Sequence, residues 1–250
     1  MLKEIQSLKQ KKYRDAAGLF FIEGEKFIEE IPKNWEIAYL VCSESWWREN
    51  PGFICRGSLQ PIKDSLFAQI SDTKTPQGIL AVCRKKIHNP AELLKKEKAL
   101  IILAEEMNDP GNLGTIIRTA HASGADGVFL SGGSVDVYNP KVLRASAGSF
   151  FHIPVIQDIK LPEIIPQLKK NNIKIIAANM ESNIYPYDID FTESTALLIG
   201  NEARGLSNES LDLTDCKVKI PMPGGAESLN VSVACAVLLY EAVRQRIIMP

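Results

Sequence analysis

The residues best suited to chemistry lie in three short polar segments of the second half of the chain. The first is NDPGNLGTIIRTA, residues 108–120, which follows an apolar run and opens a helix-like pattern. Gly111 and Gly114 permit tight turns and close backbone approach. A helix N-terminus combined with an arginine, here Arg118, can form a phosphate site, because backbone N–H groups and a guanidinium both favour anions. An ordinary helix with a surface arginine fits this segment equally well.

The second segment is LLIGNEARGLS, residues 197–207. An apolar strand pattern ends at Gly200, and Asn201 and Glu202 follow it directly. Open α/β sheets bind their ligands at the carboxyl ends of strands, so these polar residues stand where a ligand site is expected. A plain strand-to-helix turn with Ser207 as N-cap is the alternative.

The third segment, residues 220–241, begins with IPMPGG and continues into a long apolar helix pattern. The prolines and glycines shape a loop, and Ser228 and Asn230 follow that loop at the start of the helix pattern. Polar residues in such a helix need hydrogen-bond partners if they are buried. Simple capping of the helix by Asn230 or Ser232 is the alternative to a role in binding.

Strand and helix patterns alternate along the chain and place these segments at strand ends. In the second half the alternation predicts a mostly parallel sheet that is covered on both faces. A weaker alternation in the first half predicts a small α/β domain, and a Lys-rich polar stretch at 85–98 joins the two halves. We therefore expect an α/β protein with domains at 1–90 and 99–250 and a linker at 91–98.

Two further helices are predicted in the second half of the chain. The pattern over 141–151 predicts one continuous helix, and the final helix pattern begins at Ser228. One face of the final helix is apolar at a spacing of 3.6 residues. The residues of that face are Leu229, Val233, Val237 and Tyr240. This face suits burial in the chain's own core and contact with a second copy equally well.

Composition disfavours several other classes of protein. Hydrophobic residues make up 45% and charged residues 24%, which is ordinary for a soluble globular protein. No apolar run reaches the ~20 residues needed to cross a bilayer, and the first residues lack the apolar core of a secretory signal. We therefore expect a cytoplasmic protein with no membrane partner.

Cysteine and histidine usage points away from a metal centre. The cysteines are Cys42, Cys55, Cys83, Cys216 and Cys235, and the histidines are His88, His121 and His152. The cysteines are odd in number and none are spaced C-x-x-C, and no histidine lies in a metal-ligand pattern such as H-E-x-x-H. No metal, zinc site or disulfide framework is expected.

Charge is distributed unevenly around a formal net charge of −1. Residues 1–98 hold 17 Lys and Arg against 13 Asp and Glu, whereas residues 99–250 hold 12 against 17. A basic half joined to an acidic half suggests that the two halves have different functions. The basic residues that we expect to contact a polyanion are Lys9, Lys11, Lys12 and Arg14. A solvated helix face is the alternative for these four residues.

Taken together and in this order, the three polar segments resemble the motifs of the SpoU (TrmH-type) branch of the SPOUT superfamily of RNA methyltransferases. The matching residues are Asn112, Gly114 and Arg118 in the first motif, Gly200 to Glu202 and Gly205 in the second, and Ile220, Pro221 and Ser228 to Ser232 in the third. The resemblance covers residues ~99–246. The N-terminal KKYR and GLFFIEGEKFIEE resemble the substrate-binding domain of many members, which is similar in fold to a family of RNA-binding ribosomal proteins.

The resemblance implies an RNA 2′-O-ribose methyltransferase that uses S-adenosylmethionine. Ribosomal RNA is favoured over transfer RNA as the substrate, because this type of N-terminal domain accompanies the ribosomal RNA enzymes of the family. The resemblance also implies a trefoil-knotted methyltransferase domain and a homodimer with the active site near the subunit interface. General rules of chain connection argue against knots, so patterning alone would not predict one.

The resemblance further implies particular site residues. The implied cofactor-binding residues are Ala178, Asn179, Gly200, Asn201, Ile220 and Leu229, mostly through backbone groups. The implied catalytic residues are Arg118, Asn112, Glu202, Ser228 and Asn230. Because an arginine is always protonated in proteins, we expect Arg118 to bind phosphate and stabilise charge developing on the ribose oxygen. Asn112 and Ser228 would orient the nucleophile, and Glu202 would pair with an arginine and hold it in place.

Two other classes of protein are weighed against this one. A dinucleotide-binding oxidoreductase is disfavoured, because the segment at 112–118 lacks the full G-x-G-x-x-G pattern. A non-catalytic, ribosome-associated RNA-binding protein suits the basic N-terminal half, but the intact motif residues disfavour it. Binding of S-adenosylmethionine discriminates between that second class and an enzyme.

Overall fold

The computed structural model describes residues 1–53 and 57–248, which leaves Cys55 outside the described residues. The first half of the described chain forms a four-stranded mixed sheet. Its strands are β1 (Leu19–Glu23), β2 (Ile37–Ser43), β3 (Leu59–Ile62) and β4 (Ile79–Arg84), in the order β1-β4-β2-β3. Its helices are α1 (Leu2–Ser7), α2 (Lys11–Ala17), α3 (Glu25–Glu29), α4 (Glu44–Glu49) and α5 (Asp64–Ile70). Only the pairing of β2 with β3 is parallel in this sheet.

The second half of the described chain forms a six-stranded sheet in which every pairing is parallel. Its strands are β5 (Leu100–Ala104), β6 (Gly127–Ser131), β7 (Val155–Ile159), β8 (Lys174–Ala178), β9 (Thr195–Ile199) and β10 (Cys216–Val218), in the order β10-β8-β9-β5-β6-β7. Its helices are α6 (Pro90–Leu93), α7 (Pro110–Ala122), α8 (Pro140–Ser146), α9 (Leu161–Lys170), α10 (Asn208–Asp212) and α11 (Val231–Ile248). The predicted α/β class and parallel sheet are confirmed.

The core of the second sheet lies on both of its faces. All five residues of the central strand β5 are buried. Because side chains alternate along a strand, Ile102 packs in a cluster that includes Ile116 of α7, whereas Ile101 packs in a cluster that includes Ile165 of α9. Fully burying a side chain of this size contributes about 1.5–3 kcal/mol. The apolar strand patterns seen in the sequence therefore reflect strands that are covered on both sides.

The continuous helix predicted over 141–151 is wrong. α8 ends at Ser146, and a separate 3-10 turn follows at Ser149–Phe151. Between them Ala147 and Gly148 have φ angles of +47° and +86°, a left-handed conformation that ends helices. A Cβ atom on Gly148 would lie 2.8 Å from Cγ of Glu30, so the two halves of the chain pack too closely here for a side chain.

The apolar face of the last helix is largely exposed. The sequence had been compatible with burial of this face in the chain's own core or with contact to a second copy. Val233, Val237 and Tyr240 are 47%, 40% and 52% exposed, while Leu238 packs into the core. Leu229 was expected on the same face, but α11 begins at Val231, so Leu229 lies before the helix. None of the helices in the described chain is both long and apolar enough to cross a membrane.

A buried ion pair joins the two halves of the chain. Arg14 on α2 donates from Nε and Nη2 to Oδ2 of Asp136 at 3.0 and 2.5 Å, and its Nη1 donates to the carbonyl oxygens of Leu8 and Lys9. The two charged side chains are 3% and 5% exposed. Arg14 is therefore not available to a polyanion, and the expectation that it contacts one is wrong.

Aromatic side chains from both halves of the chain also pack against each other. Phe20 lies against Tyr138 with ring centroids 4.9 Å apart, and Trp35 lies against Phe151 at the same separation. The indole Nε1 of Trp35 also donates to the carbonyl oxygen of Phe151 at 3.2 Å. Burial raises the pKa of Tyr138 to about 12, so its hydroxyl stays protonated and donates to the carbonyl oxygen of Lys86.

We expect Asp136→Ala to lower the free energy of unfolding by about 3–5 kcal/mol, because it leaves the charge of Arg14 buried without its partner. Urea denaturation measures the change. The control is Glu36→Ala, which breaks an exposed ion pair with Arg84 and should cost about 1 kcal/mol or less. Equal losses in the two variants would contradict a structural role for the buried pair.

Candidate active site

A cavity of about 550 Å³ opens at the carboxyl ends of β10, β8 and β9, which are neighbours in the sheet. A predicted residue lines the cavity wall at or just after the end of each strand. These residues are Ile220 after β10, Ala178 at the end of β8 and Gly200 after β9. Ten of the eleven predicted site residues line it. They are Asn112, Ala178, Asn179, Gly200, Asn201, Glu202, Ile220, Ser228, Leu229 and Asn230. Arg118 is not among the lining residues.

The turn that follows β9 forms one wall of the cavity. Asn201 and Gly205 exchange two backbone hydrogen bonds of 2.9 Å, which folds the chain back on itself. A Cβ atom on Gly200 would lie 2.3 Å from the carbonyl carbon of Gly205 and 2.4 Å from the nitrogen of Leu206. Because both neighbours are backbone atoms, only glycine fits at position 200.

The side chain of Asn201 holds this turn in shape. Its Nδ2 donates to the carbonyl oxygen of Glu106 at 2.8 Å, and its Oδ1 accepts from the backbone nitrogens of Ala203 and Arg204. The residue is 8% exposed. Asn201 therefore contributes to the cavity through the turn that it builds, as a polar residue whose own hydrogen bonds are satisfied.

Hydrogen bonds between polar side chains link the three sequence segments. Asn112 at the start of α7 donates from Nδ2 to Oε1 of Glu202 at 3.2 Å. Asn230 in turn donates from Nδ2 to Oδ1 of Asn112 at 2.9 Å. The Oδ1 of Asn230 accepts from the backbone nitrogen and the hydroxyl of Ser232, which caps α11. Capping and linking of the segments are thus performed by the same asparagine.

Glu202 was expected to pair with an arginine, but within the described chain its partners are other groups. Its carboxylate accepts from the backbone nitrogens of Asn108 and Asp109, at 3.4 and 3.2 Å, besides the amide of Asn112. A carboxylate at the N-terminus of α7 is favoured, because the helix dipole places partial positive charge there. The nearby arginine, Arg204, forms an ion pair with Glu106 instead.

Arg118 lies outside the cavity on the exposed face of α7. It is six residues beyond Asn112, which places it about 9 Å further along the helix and about 120° around it. Within the described chain its guanidinium forms no hydrogen bond or ion pair. Arg118 therefore presents an uncompensated positive charge to whatever contacts this face of the helix.

The structure adds residues that sequence reasoning missed. The cavity wall also contains Met180, Arg204, Lys219, Met222 and Ala234. Arg204 follows Glu202 by two residues, so its nearness to a motif was the available signal. Ser228 lines the cavity and forms no hydrogen bond with another described residue, which leaves its hydroxyl for a ligand. Among the described residues, no group of three or more His, Cys, Asp or Glu is arranged to hold a metal ion.

An all-parallel sheet with a cavity at the carboxyl ends of its strands defines a class of α/β enzymes that bind small-molecule cofactors. The chain belongs to the SpoU rRNA methylase family, whose model matches residues 99–240. Residues 1–81 match the model of the MRM3-like substrate binding domain. The family resemblance of the three sequence segments is therefore confirmed.

Named relatives cover nearly the whole chain. It is 37% identical over 239 residues to the 23S rRNA (guanosine(2553)-2′-O)-methyltransferase RlmP of Bacillus subtilis, covering 96% of this chain and 94% of that protein. It is 29% identical to human mitochondrial rRNA methyltransferase 3, covering 95% of this chain and 70% of that protein. Among solved structures, the SpoU methyltransferase AviRb from Streptomyces viridochromogenes in complex with AdoMet matches with a TM-score of 0.89 and 32% identity, covering 98% of this chain and 97% of that one.

We expect Gly200→Ala to lower the free energy of unfolding by about 1–3 kcal/mol, because the added methyl group meets two backbone atoms that cannot move aside. Denaturant unfolding measures the change. Gly132→Ala is the matched control, since its Cβ would meet no atom within 4 Å, and its effect should stay within about 0.5 kcal/mol. A Gly200→Ala variant as stable as the control would contradict the close contact at the turn.

Proposed function

We propose that the chain is an RNA 2′-O-ribose methyltransferase that uses S-adenosylmethionine and acts on ribosomal RNA. The observation that carries the proposal is the cavity at the strand ends, which gathers ten predicted site residues, eight of them from the three motif segments. Family membership supports the reaction, and the relatives named as 23S rRNA 2′-O-methyltransferases support the substrate.

The cavity fits an adenosine-based cofactor in size and in the chemistry of its wall. Its volume of about 550 Å³ lies within the usual ~300–1,000 Å³ of small-molecule sites. Ile220 and Leu229 lie outside helices and strands, so their backbone groups are open to a ligand, and Gly200 brings bare backbone to the surface. When bound, S-adenosylmethionine supplies an electrophilic methyl group on a positively charged sulfur.

Polar side chains at the cavity edge would orient the attacking ribose hydroxyl. Ser228 offers a hydroxyl that can accept or donate. Asn112 is held by Glu202 on one side and Asn230 on the other, so its position is determined before substrate arrives. Preorganised groups of this kind supply a large part of an enzyme's rate enhancement, because little reorganisation remains at the moment of reaction.

Arg118 would bind the RNA phosphate next to the reacting ribose and stabilise negative charge as the hydroxyl oxygen attacks. Its exposed, unpaired guanidinium supports this role, because a planar fork of donors matches phosphate. An arginine cannot serve as a free base at neutral pH, since it stays protonated. The charge of Arg118, rather than a proton-accepting nitrogen, is its contribution.

We expect Arg118→Ala to keep S-adenosylmethionine affinity and to lower the methyl transfer rate by about 100-fold or more, the usual cost of removing a preorganised charge-stabilising group. Calorimetric titration measures the affinity. In cells that lack the protein, mapping of ribosomal 2′-O-methyl groups should show a lost site that the wild-type chain restores and the variant does not.

Two controls accompany this experiment. Arg118→Lys keeps the charge but not the fork, and should retain part of the activity. Lys170→Ala removes an exposed cation of α9, in a part of the chain away from the cavity residues, and should leave activity unchanged. An unaltered methylation map in cells without the protein would contradict the proposed function, and normal turnover by Arg118→Ala would remove Arg118 from the site.

We also propose a division of labour along the chain, with RNA selected by residues 1–90, a linker at 91–98 and methyl transfer by residues 99–250. The match of residues 1–81 to a substrate binding domain supports this division. Of the expected basic contacts, Lys9 donates to the carbonyl oxygen of Ser71 and Lys11 pairs with Asp15. Lys12 remains exposed. The modest net charge favours recognition of RNA shape over bulk attraction. A cytoplasmic location is supported by the similarity to the Bacillus subtilis enzyme over nearly the whole chain.

We propose further that the protein is a homodimer and that its C-terminal domain is knotted, as the family resemblance implies. The exposed stripe of Val233, Val237 and Tyr240 on α11 supports the dimer, because such a stripe is usually covered in solution. The path of the chain supports the knot. After β10 at the edge of the sheet, the chain returns across β8 so that α11 packs against β9 and α7.

We expect Val237→Glu to yield monomers, because a charge in the middle of the stripe would be desolvated by a second copy. Light scattering after size exclusion measures the mass. Ile87→Glu is the control, since Ile87 is 95% exposed elsewhere on the surface and its replacement should leave the oligomeric state unchanged. A Val237→Glu variant that remains dimeric would place the interface on another face.

A further inference from the structure

Two neighbouring glutamates after β5 hold the loop that walls the cavity. This loop, residues 200–206, is named the cofactor loop below. The backbone nitrogen of Glu105 donates to the carbonyl oxygen of Ile199 at 2.9 Å, just before the loop begins. Within the loop, Asn201 donates to the carbonyl oxygen of Glu106, and Arg204 pairs with the Glu106 carboxylate.

The carboxylate of Glu105 fixes the point where the cofactor loop ends. Its Oε1 accepts from the hydroxyls of Ser207 and Ser210 at 2.7 and 2.8 Å, and its Oε2 accepts from the backbone nitrogen of Ser207 at 3.0 Å. Ser207 is the N-cap of α10, and Ser210 is 2% exposed. Three donors thus converge on one half-buried carboxylate, and hydrogen bonds to a charged acceptor are about twice as strong as neutral ones.

Glu105 is not among the residues that line the cavity, whereas all seven residues of the cofactor loop are. Within the loop, Asn201 and Arg204 bond to Glu106, Glu202 bonds to the start of α7, and Leu206 packs against the apolar core. Glu105 instead contacts the residues just outside the two ends of the loop, Ile199 and Ser207. The course of the loop between these residues is therefore fixed at both ends by Glu105. A shift of either end would move the backbone groups that face the cavity.

We infer that Glu105 is a positioning residue for S-adenosylmethionine, acting through the cofactor loop rather than by touching the cofactor. The inference rests on the proposed function, which assigns the cavity to this cofactor. A residue that only stabilised the fold would lower the free energy of unfolding and leave the affinity of the folded protein unchanged. A positioning residue changes the affinity of the folded protein itself, because the binding-competent loop is less populated.

The test is Glu105→Gln, measured by calorimetric titration of the folded, RNA-free protein with S-adenosylmethionine. The glutamine oxygen can still accept from the two serine hydroxyls, but its amide nitrogen then faces the backbone N–H of Ser207, donor against donor. We expect the dissociation constant to rise about tenfold to a hundredfold, as for loss of a charge-assisted hydrogen bond. The KM for the cofactor should rise by the same factor, and kcat at saturating cofactor should change less than about twofold.

Glu209→Gln is the matched control. Glu209 lies in the first turn of α10, is exposed and forms no hydrogen bond with another described residue. The same chemical change there should leave the dissociation constant unaltered. Hydrogen exchange of residues 200–206 in the cofactor-free protein provides a readout that does not depend on activity, and exchange should be faster in Glu105→Gln only.

Ser210→Ala removes one donor without touching the carboxylate, and it decides the question if Glu105→Gln does not fold. We expect the dissociation constant of Ser210→Ala to rise about threefold to tenfold. Wild-type affinity in either folded variant would overturn the inference. A wild-type protein that binds no S-adenosylmethionine would overturn the proposed function as well, which distinguishes the two failures.

Discussion

The site depends on two side-chain hydrogen bonds that join parts of the chain 90 and 118 residues apart. Asn112 stands between Glu202 and Asn230, and it draws together a helix start, a strand-end turn and the cap of the last helix. Glu202 also accepts from backbone nitrogens at the start of α7, and Asn230 caps α11. Networks of this kind strengthen their members and specify one arrangement of the chain. The cavity is what remains between three segments that are fixed in this way.

The parallel sheet supplies the frame on which these bonds can form. Because β10, β8 and β9 are neighbours and parallel, their carboxyl ends meet along one edge. The turn after β9 then needs a residue without a side chain, since it crosses another stretch of backbone at Gly200. The side chain of Asn201, next to Gly200, holds this turn and also lines the cavity. Structure and chemistry are thus encoded by the same few residues.

The sequence predicts the fold where the signal is local. The apolar runs at 100–104 and 196–199 form strands as expected, since burial on both faces favours apolar residues throughout. The order of strands in the sheet has no such signal, because it depends on contacts between distant segments. The break after Ser146 had a local signal that the helix prediction did not use. Gly148 lies within 141–151, and a glycine just past the last helical residue commonly ends a helix. Ala147, which also takes a left-handed φ of +47°, gives no such signal in the sequence.

For the site, residue types and the family resemblance predicted ten of the residues that line the cavity, but not what each side chain does there. Glu202 binds the start of α7, and Arg14 is buried against Asp136, so neither charge serves the partner expected of it. In both cases the deciding neighbour lies about 90 residues or more away in sequence. Charges are especially hard to interpret from a sequence, because the residue type does not show whether its charge is exposed or is buried and paired. Arg118 and Arg14 illustrate the two outcomes.

One hydrophobic cluster runs through both sheets, from Phe20 and Leu40 in the first half to Ile102 and Leu130 in the second. A shared core makes the two halves a single cooperative unit, since neither can open without exposing the apolar surface of the other. Thermodynamic linkage then acts across the whole molecule. A ligand that binds either half and not the unfolded chain raises the resistance of both to heat and proteolysis. The two halves therefore protect each other from degradation.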